Sequence, residues 1–315
     1  MMKKLGTLLK TEITENPEIA GEILRDGGVV IFPTETVYGI GASSFNFESC
    51  EKIYKIKNRP QDNPFIVHFS DLDSIENVVH ISNLNRDRIG FLTPGPISFI
   101  LKKKVNIFSS GLDTIGVRIP NLIITNKMLR ISGPVSAPSA NISGKPSITN
   151  FSYAEEFFYG KVDCILKGET TEIGVESTVV DLTSEPPVIL RPGGMSMEAI
   201  RTYIPEISYN SKSHSKLLSP GAKYRHYSPD CKVEWVDSIT QIDNPEDSGY
   251  IGSESNQTLK YHIKINNNLE YMQYLYSFFI ECEKRKIVIA YCHKPWEDEN
   301  MQTLLNRIDK AISKR

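Results

Sequence analysis

Lys57, Arg59, Asn63 and His68 fall in one stretch, KNRPQDNPFIVH, which also holds Pro60 and Pro64. An ammonium acts on phosphate as a point charge and a guanidinium grips it bidentately, so Lys57 and Arg59 are equipped for an anion. The same residues also describe a solvated charged turn running into a buried strand. His68 carries two readings as well: among Phe65, Ile66, Val67 and Phe69 it fits a satisfied core histidine better than a ligand. Further on, APSANISGKPS offers Ser139, Asn141, Ser143 and Ser147 around Pro138 and Pro146. A backbone stiffened in this way can turn amides and hydroxyls to a phosphate, or it can be an ordinary Asn/Ser turn. Arg118 in GVRIP and Arg191 in ILRPGG each read alone as an edge-strand arginine, and together suggest an anion site.

Several familiar chemistries are excluded by spacing. YGIGASS begins G-x-G but has Ser44 where a dinucleotide fingerprint needs its third glycine. SANISGKPS has Ser139 and Pro146 where a Walker loop needs glycine and a hydroxyl residue. GVEST and APSAN lack the G-x-S-x-G elbow of a serine nucleophile, and no cysteine sits among groups that would activate it. His68 has no second ligand at metal spacing, so no zinc site is expected. Glu35 and Glu176 are the carboxylates nearest these loops, but sequence gives no separation between them. What remains is direct displacement at phosphorus, driven by positioning and charge stabilisation.

The elements that must hold these loops alternate between helix and strand. Asn16-Pro17 starts a helix that Gly27-Gly28 stops, and a second helical period runs from Phe47 to Lys57 with Lys52 and Lys55 on a solvated face. PFIVHF, SFILKK, IGVRIP and STVVDL read as strands of a mixed sheet. The expected fold class is α/β, with a large unit over residues 1–207. A Ser/Lys/Pro/Gly-rich linker over 208–230 joins it to a small C-terminal α/β domain over 231–315. In that small domain VEWVD, YIG, YHIKI and IVIAYC alternate with helices. One helix runs from about Leu269 to Lys286, with Leu269, Met272, Leu275, Phe278 and Phe279 inward, and a second from Met301 to Ile312.

At 315 residues with 40% apolar composition, the chain is long enough for more than one core. A net charge of −2 leaves nucleic-acid binding to local patches. Five cysteines without a C-x-x-C pair argue against a disulfide framework and a Cys-rich metal site. MMKKLGTLLK lacks the apolar run of a secretory leader and no stretch is long and apolar enough for a membrane span, so a cytoplasmic, soluble protein is expected.

Taken in order, FPTETVYGIG, KNRPQDNPFIVH, TPGPISFILKK, GLDTIGVRIP, APSANISGKPS, GVESTVVDL, ILRPGG and SPGAKYRHYSPD resemble the threonylcarbamoyl-AMP synthases of the YrdC-like family in their longer, two-domain form. The resemblance implies an open, twisted mixed sheet with a cationic concave face, joined to a small Rossmann-like domain. It also implies a reaction of L-threonine, bicarbonate or CO2, and ATP that yields threonylcarbamoyl-AMP and pyrophosphate, with Mg2+ accompanying ATP and no tightly bound cofactor. The product would pass to a tRNA threonylcarbamoyl transferase complex; weak tRNA contact is an option and a membrane is not. Carried over residue by residue, the K-x-R…S-x-N signature falls on Lys57, Arg59, Ser139 and Asn141. Asn63, Thr114, Ser147 and Arg191 fall on ATP positions, while Thr36, His68, Arg118, Ala137 and Ser177 fall on threonine positions. Tyr224, Arg225 and His226 look like a lid over ATP.

In the linker Ala222 and Ser228 depart from the family's usual Met and Ala, and the small domain matches poorly apart from LLNRIDKAI, which echoes the family's IMNRLRKAA. One rival reading is a double-stranded RNA-binding module using a patch of Lys55, Lys57, Arg59 and Lys102-Lys103-Lys104. Another, carbamoyl transfer in hydrogenase maturation, would bring acylphosphatase-like and Cys-rich segments that this sequence lacks.

Overall fold

A computed structural model describes residues 10–209 and 227–312. Among them, eleven strands form one mixed sheet: β1 (Glu12–Thr14), β2 (Val30–Phe32), β3 (Gly39–Ser43), β4 (Ile66–His68), β5 (Ile97–Lys102), β6 (Thr114–Arg118), β7 (Val135–Ala137), β8 (Cys164–Leu166), β9 (Thr178–Asp181), β10 (Val188–Arg191) and β11 (Ser208–Tyr209). Their order is β1-β8-β2-β3-β7-β4-β6-β5-β9-β10-β11. The second sheet holds β12 (Lys232–Val236), β13 (Ser248–Gly252), β14 (Tyr261–Lys264) and β15 (Ile289–His293) in the order β12-β15-β13-β14, every pair parallel. The α/β class and both sheets are as the sequence leads one to expect. β11 pairs in parallel with β10, so the large sheet reaches past residue 207 into the stretch expected to be linker.

Nine α-helices are described: α1 (Pro17–Arg25), α2 (Phe47–Lys57), α3 (Leu72–Glu76), α4 (Asn83–Leu92), α5 (Ile123–Ser132), α6 (Phe151–Phe158), α7 (Met197–Arg201), α8 (Asn268–Lys284) and α9 (Met301–Ile312). None is long and apolar enough to cross a membrane. In α1, Asn16 accepts from the Glu18 N–H and Pro17 occupies the first turn, where a missing N–H costs nothing. In α2, Asn46 caps Ser49, and Asn58 ends the helix in the left-handed region at φ 54°, a conformation asparagine tolerates. That stop throws the chain off the helix immediately before Arg59.

Apolar side chains from both faces of the large sheet fill the cores beneath α1–α7. The smaller sheet packs with α8 and α9 around Leu275, Phe278, Phe279, Leu304 and Ile308, and Val37 and Val175 of the large unit join that same core. Met272, Leu275, Phe278 and Phe279 of α8 point inward, but Leu269 is 62% exposed, because the buried stripe opens at Asn268, whose amide bonds to Trp296 O and Asp298. Polar contacts stitch the units further: Lys145 to Glu283 at 2.8 Å, Lys284 to Glu156 at 2.8 Å, and Tyr153 OH to Glu281 at 2.9 Å.

Candidate functional site

Strand register builds the centre of a cleft. β4 runs parallel to β6 with His68 opposite Arg118, and antiparallel to β7 with His68 opposite Val135 and Ile66 opposite Ala137. The imidazole and the guanidinium are thereby fixed side by side at a strand end, with Ala137 two residues along β4 from them. Loops that leave the neighbouring strands close the walls. The cleft is lined by Thr34, Tyr38, Arg59, His68, Arg118, Ala137, Ser139, Asn141, Ser143, Glu176, Ser177, Arg191 and Tyr227, among others, and encloses about 690 Å³ counted out into its mouth.

Each arginine is braced by protein acceptors. Arg59 donates through Nε to Asn63 O at 3.0 Å and through Nη2 to Pro64 O at 3.1 Å, with its guanidinium 5.6 Å from the Phe65 ring centroid. Burial lowers its pKa to about 10, so it stays cationic at neutral pH. Arg191 donates to Ser177 O at 2.8 Å. Arg118 lies 2.8 Å from the Glu35 carboxylate, and both are buried. Burial, aided by Arg118, pushes the His68 pKa down to about 3, so the ring is neutral. Its Nδ1 lies 3.2 Å from Ile66 O, which can only accept, so a proton on Nδ1 makes that bond.

Glu176 is the carboxylate of the cleft wall, 6% exposed. Its Oε1 accepts from Ser147 Oγ at 2.6 Å, and its Oε2 from Tyr276 OH and Arg307 Nε, each at 2.9 Å. Burial alone would raise its pKa, but Arg307, Arg191 and the Ser147 bond overcome that and hold it down to about 2.

Of the residues expected at the site, Arg59, His68, Arg118, Ala137, Ser139, Asn141, Ser177 and Arg191 line the cleft together. Lys57 does not reach it. It is 0% exposed, with Nζ donating to Ser139 O at 2.6 Å, to Asn141 O and to Asn141 Oδ1 at 3.2 Å. Burial and then Arg59 lower its pKa well below the usual lysine value, while three oxygens around Nζ match the three donors of an ammonium. Lys57 therefore pins the loop bearing Ser139 and Asn141 from behind, because the last turn of α2 carries its stem into the protein. Ser147 faces Glu176, Thr36 bonds to Thr34 Oγ1 at 2.8 Å, and the Asn63 carbonyl braces Arg59, so these three stand behind the lining. Thr114 lines a separate small cavity with Phe65, Leu112 and Gly116. Tyr224, Arg225 and His226 lie outside the described residues.

The basic patch of the RNA-binding reading does not form as one surface: Lys57 is buried, Arg59 turns into the cleft, and Lys103 donates to Ser109 Oγ at 2.7 Å. Ser228 is tolerated where the family has Ala, since its buried hydroxyl donates to Ala311 O at 3.1 Å. Sequence reasoning missed Tyr38, Thr34 and Tyr227 as lining, and treated Glu176 only as a loose carboxylate. The available signal for Glu176 is its place in GVEST, immediately before Ser177 and the apolar pair Val179-Val180.

The Mg2+ that the resemblance implies finds no carboxylate cage. Glu176 and Glu35 are committed to Arg307 and Arg118, and among the described residues no group of three or more potential ligands is placed to hold a metal ion. The donor set suits a metal that arrives with nucleotide phosphates as part of the substrate.

The sequence profile of the Sua5/YciO/YrdC family, described as "Telomere recombination", matches residues 22–193, and that described as "Threonylcarbamoyl-AMP synthase, C-terminal domain" matches residues 195–313. A Pyrococcus abyssi protein named threonylcarbamoyl-AMP synthase is 42% identical over 224 residues, 68% of this chain and 66% of that one. A Bacillus subtilis protein of the same name is 40% identical over 227 residues, 69% of this chain and 66% of that one. The aligned stretches thus span just under two thirds of those relatives. The crystal structure of P. abyssi Sua5 complexed with L-threonine superposes with a TM-score of 0.88 at 34% identity, covering 97% of this chain and 98% of that one. This chain belongs to the Sua5/YciO/YrdC family, in the form that carries the second, C-terminal domain.

Proposed function

We propose that this chain is an L-threonylcarbamoyladenylate synthase, a nucleotidyltransferase that joins L-threonine, bicarbonate or CO2, and ATP, and so opens the route to threonylcarbamoyladenosine in tRNA. The observation that carries the reading is the convergence of Arg59, Arg118 and Arg191 on one cleft beside neutral His68 and the hydroxyls of Ser139 and Ser177. Threonine's amino nitrogen adds to CO2 and loses a proton, giving a carbamate. A carbamate oxygen then attacks the α-phosphorus of MgATP, and pyrophosphate leaves as the mixed anhydride forms. The negative charge spreads over phosphates and carboxylates, and preorganised guanidinium and amide donors stabilise it without reorganising. Arg59, Arg191, Ser139 and Asn141 serve the phosphates. Arg118, His68, Ser177 and the Ala137 backbone serve threonine, with Arg118 taking its carboxylate in a charge-assisted bond of about 1.5–3 kcal/mol. Lys57, Thr36, Asn63 and Ser147 act through the residues they hold, Thr114 stands on the neighbouring cavity, and Tyr224, Arg225 and His226 would cover ATP. The product would be handed to a tRNA threonylcarbamoyl transferase complex in the cytoplasm.

Pyrophosphate release by purified protein, with threonine and bicarbonate omitted in turn, tests this reading. Release should require both, and release that ignores either omission overturns it.

A further inference from the structure

In α9 the buried stripe reads Thr303, Leu304, Arg307, Ile308 and Ala311. An arginine in the middle of an apolar stripe, 0% exposed, is a costly placement that needs specific partners. Arg307 finds them across the boundary between the two sheets. Its Nε donates to Glu176 Oε2 at 2.9 Å and its Nη1 to Pro192 O at 3.0 Å, and its guanidinium stacks 5.0 Å from the ring of Tyr227. One turn earlier, Thr303 Oγ1 donates to Gly193 O at 3.0 Å. From α8, Tyr276 OH adds the further bond to Glu176.

These contacts fall on the two segments that carry Ser177 and Arg191. Glu176 precedes Ser177, Pro192 follows Arg191, and the segments touch: Gly194 N donates to Glu176 O at 3.0 Å, and a Cβ on Gly193 would stand 2.4 Å from Glu176 O. A shift of either segment therefore moves the other.

We infer that α9 of the C-terminal domain is a structural part of the active-site wall, with Arg307 as a positioning residue that holds Glu176 and the 191–193 turn in register. This rests on the synthase reading and deepens it, assigning the second domain a role in substrate binding in cis. The LLNRIDKAI segment then has a physical reason: its asparagine-arginine pair aims a fork into the neighbouring unit, Arg307 Nη1 also donating to Asn306 Oδ1 at 2.7 Å.

The test uses the full chain and steady-state pyrophosphate release across pH. Charged and titratable groups facing Glu176 are Arg307 and Lys310 from α9, Tyr276 from α8, Arg191 from β10, Lys57 from α2, and Tyr227. Arg307→Met leaves burial opposed mainly by Arg191, so Glu176 titrates higher and binds a proton as pH falls. Folded R307M should lose about 100-fold in kcat/KM, the size of an ångström-scale misplacement, with KM for ATP and threonine both raised. It should also gain an acid limb that wild type lacks and that the double variant R307M with Glu176→Gln loses. Arg307→Lys keeps the charge but cannot span both Glu176 and Pro192, so it should show raised KM without the limb. R307M with wild-type KM values and an unchanged pH profile overturns the inference. If R307M does not fold, R307K decides it, and wild-type kinetics at every pH overturn it. Wild-type protein without threonine-dependent release would instead sink the synthase reading itself.

Discussion

Unfolding by urea at two pH values isolates the charge state of His68. The residue is 5% exposed, and burial with Arg118 pushes its pKa down to about 3, against about 6.5 for an imidazole in an unfolded chain. The unfolded chain therefore binds a proton that the folded protein refuses. Stability falls as pH drops below about 6.5, with a slope reaching about 1.4 kcal/mol per pH unit. Between about pH 7.5 and pH 5 this one ring removes about 2 kcal/mol, and any folded value below about 4 gives the same figure because the ring is then neutral throughout the window. Glu176 acts lower down: its stabilisation is present above its usual value of 4.5 and is lost only as pH falls toward 2. Urea midpoints and slopes for wild type and His68→Gln yield the difference directly, with other titrating groups cancelling between the two. Wild type should lose about 2 kcal/mol more than H68Q over that interval. Equal losses would show that His68 protonates in place, and a neutral imidazole beside Arg118 would have to be abandoned.

Lys57→Met removes the three donors behind Ser139 and Asn141. Turnover should fall about 100-fold as that loop loses its pin, while the unfolding free energy from urea titration changes by only about 1–3 kcal/mol because an ammonium no longer has to be buried. Pyrophosphate release within about threefold of wild type would refute the pinning role. Gly193→Ala sets a Cβ 2.4 Å from Glu176 O and from Ser177 C, so backbone must part. We expect about 1–3 kcal/mol of destabilisation and a higher KM for threonine, measured by unfolding and kinetics, and unchanged kinetics would mean that the turn yields without disturbing Ser177.

The sequence made legible what is local or periodic. The α2 boundaries follow from Asn46 and from the left-handed residue Asn58, and the stripe of α9 places that helix residue for residue. The motif residues that converge are those whose strands neighbour one another, His68 and Arg118 on β4 and β6 above all. What stayed hidden depends on contacts distant in sequence. In the sequence Lys57 reads the same whether it faces solvent, as Lys52 and Lys55 do, or is drawn inward by carbonyls 82 and 84 residues away. Glu176 and Arg307 are 131 residues apart, in different units, and neither alone announces the other.

The braces on the three arginines give the cleft a direction. Arg59 and Arg191 lean on carbonyl oxygens, which orient a guanidinium without cancelling its charge. Arg118 leans on the Glu35 carboxylate, which does cancel it. Glu176 is shared between Arg307 and Arg191, so it offsets Arg191 only in part. The Arg59 and Arg191 end of the cleft thus carries guanidinium in excess over carboxylate, and the other presents a cation and an anion close together. Under the proposed function, a polyanion such as a triphosphate would be favoured at the first. A zwitterion such as an amino acid, offering a carboxylate to Arg118 and an amine to the Glu35 side, would be favoured at the second. Because the forks are held before any ligand arrives, little side-chain entropy is lost on binding, and the ordering cost that would weaken a three-substrate encounter is met at folding.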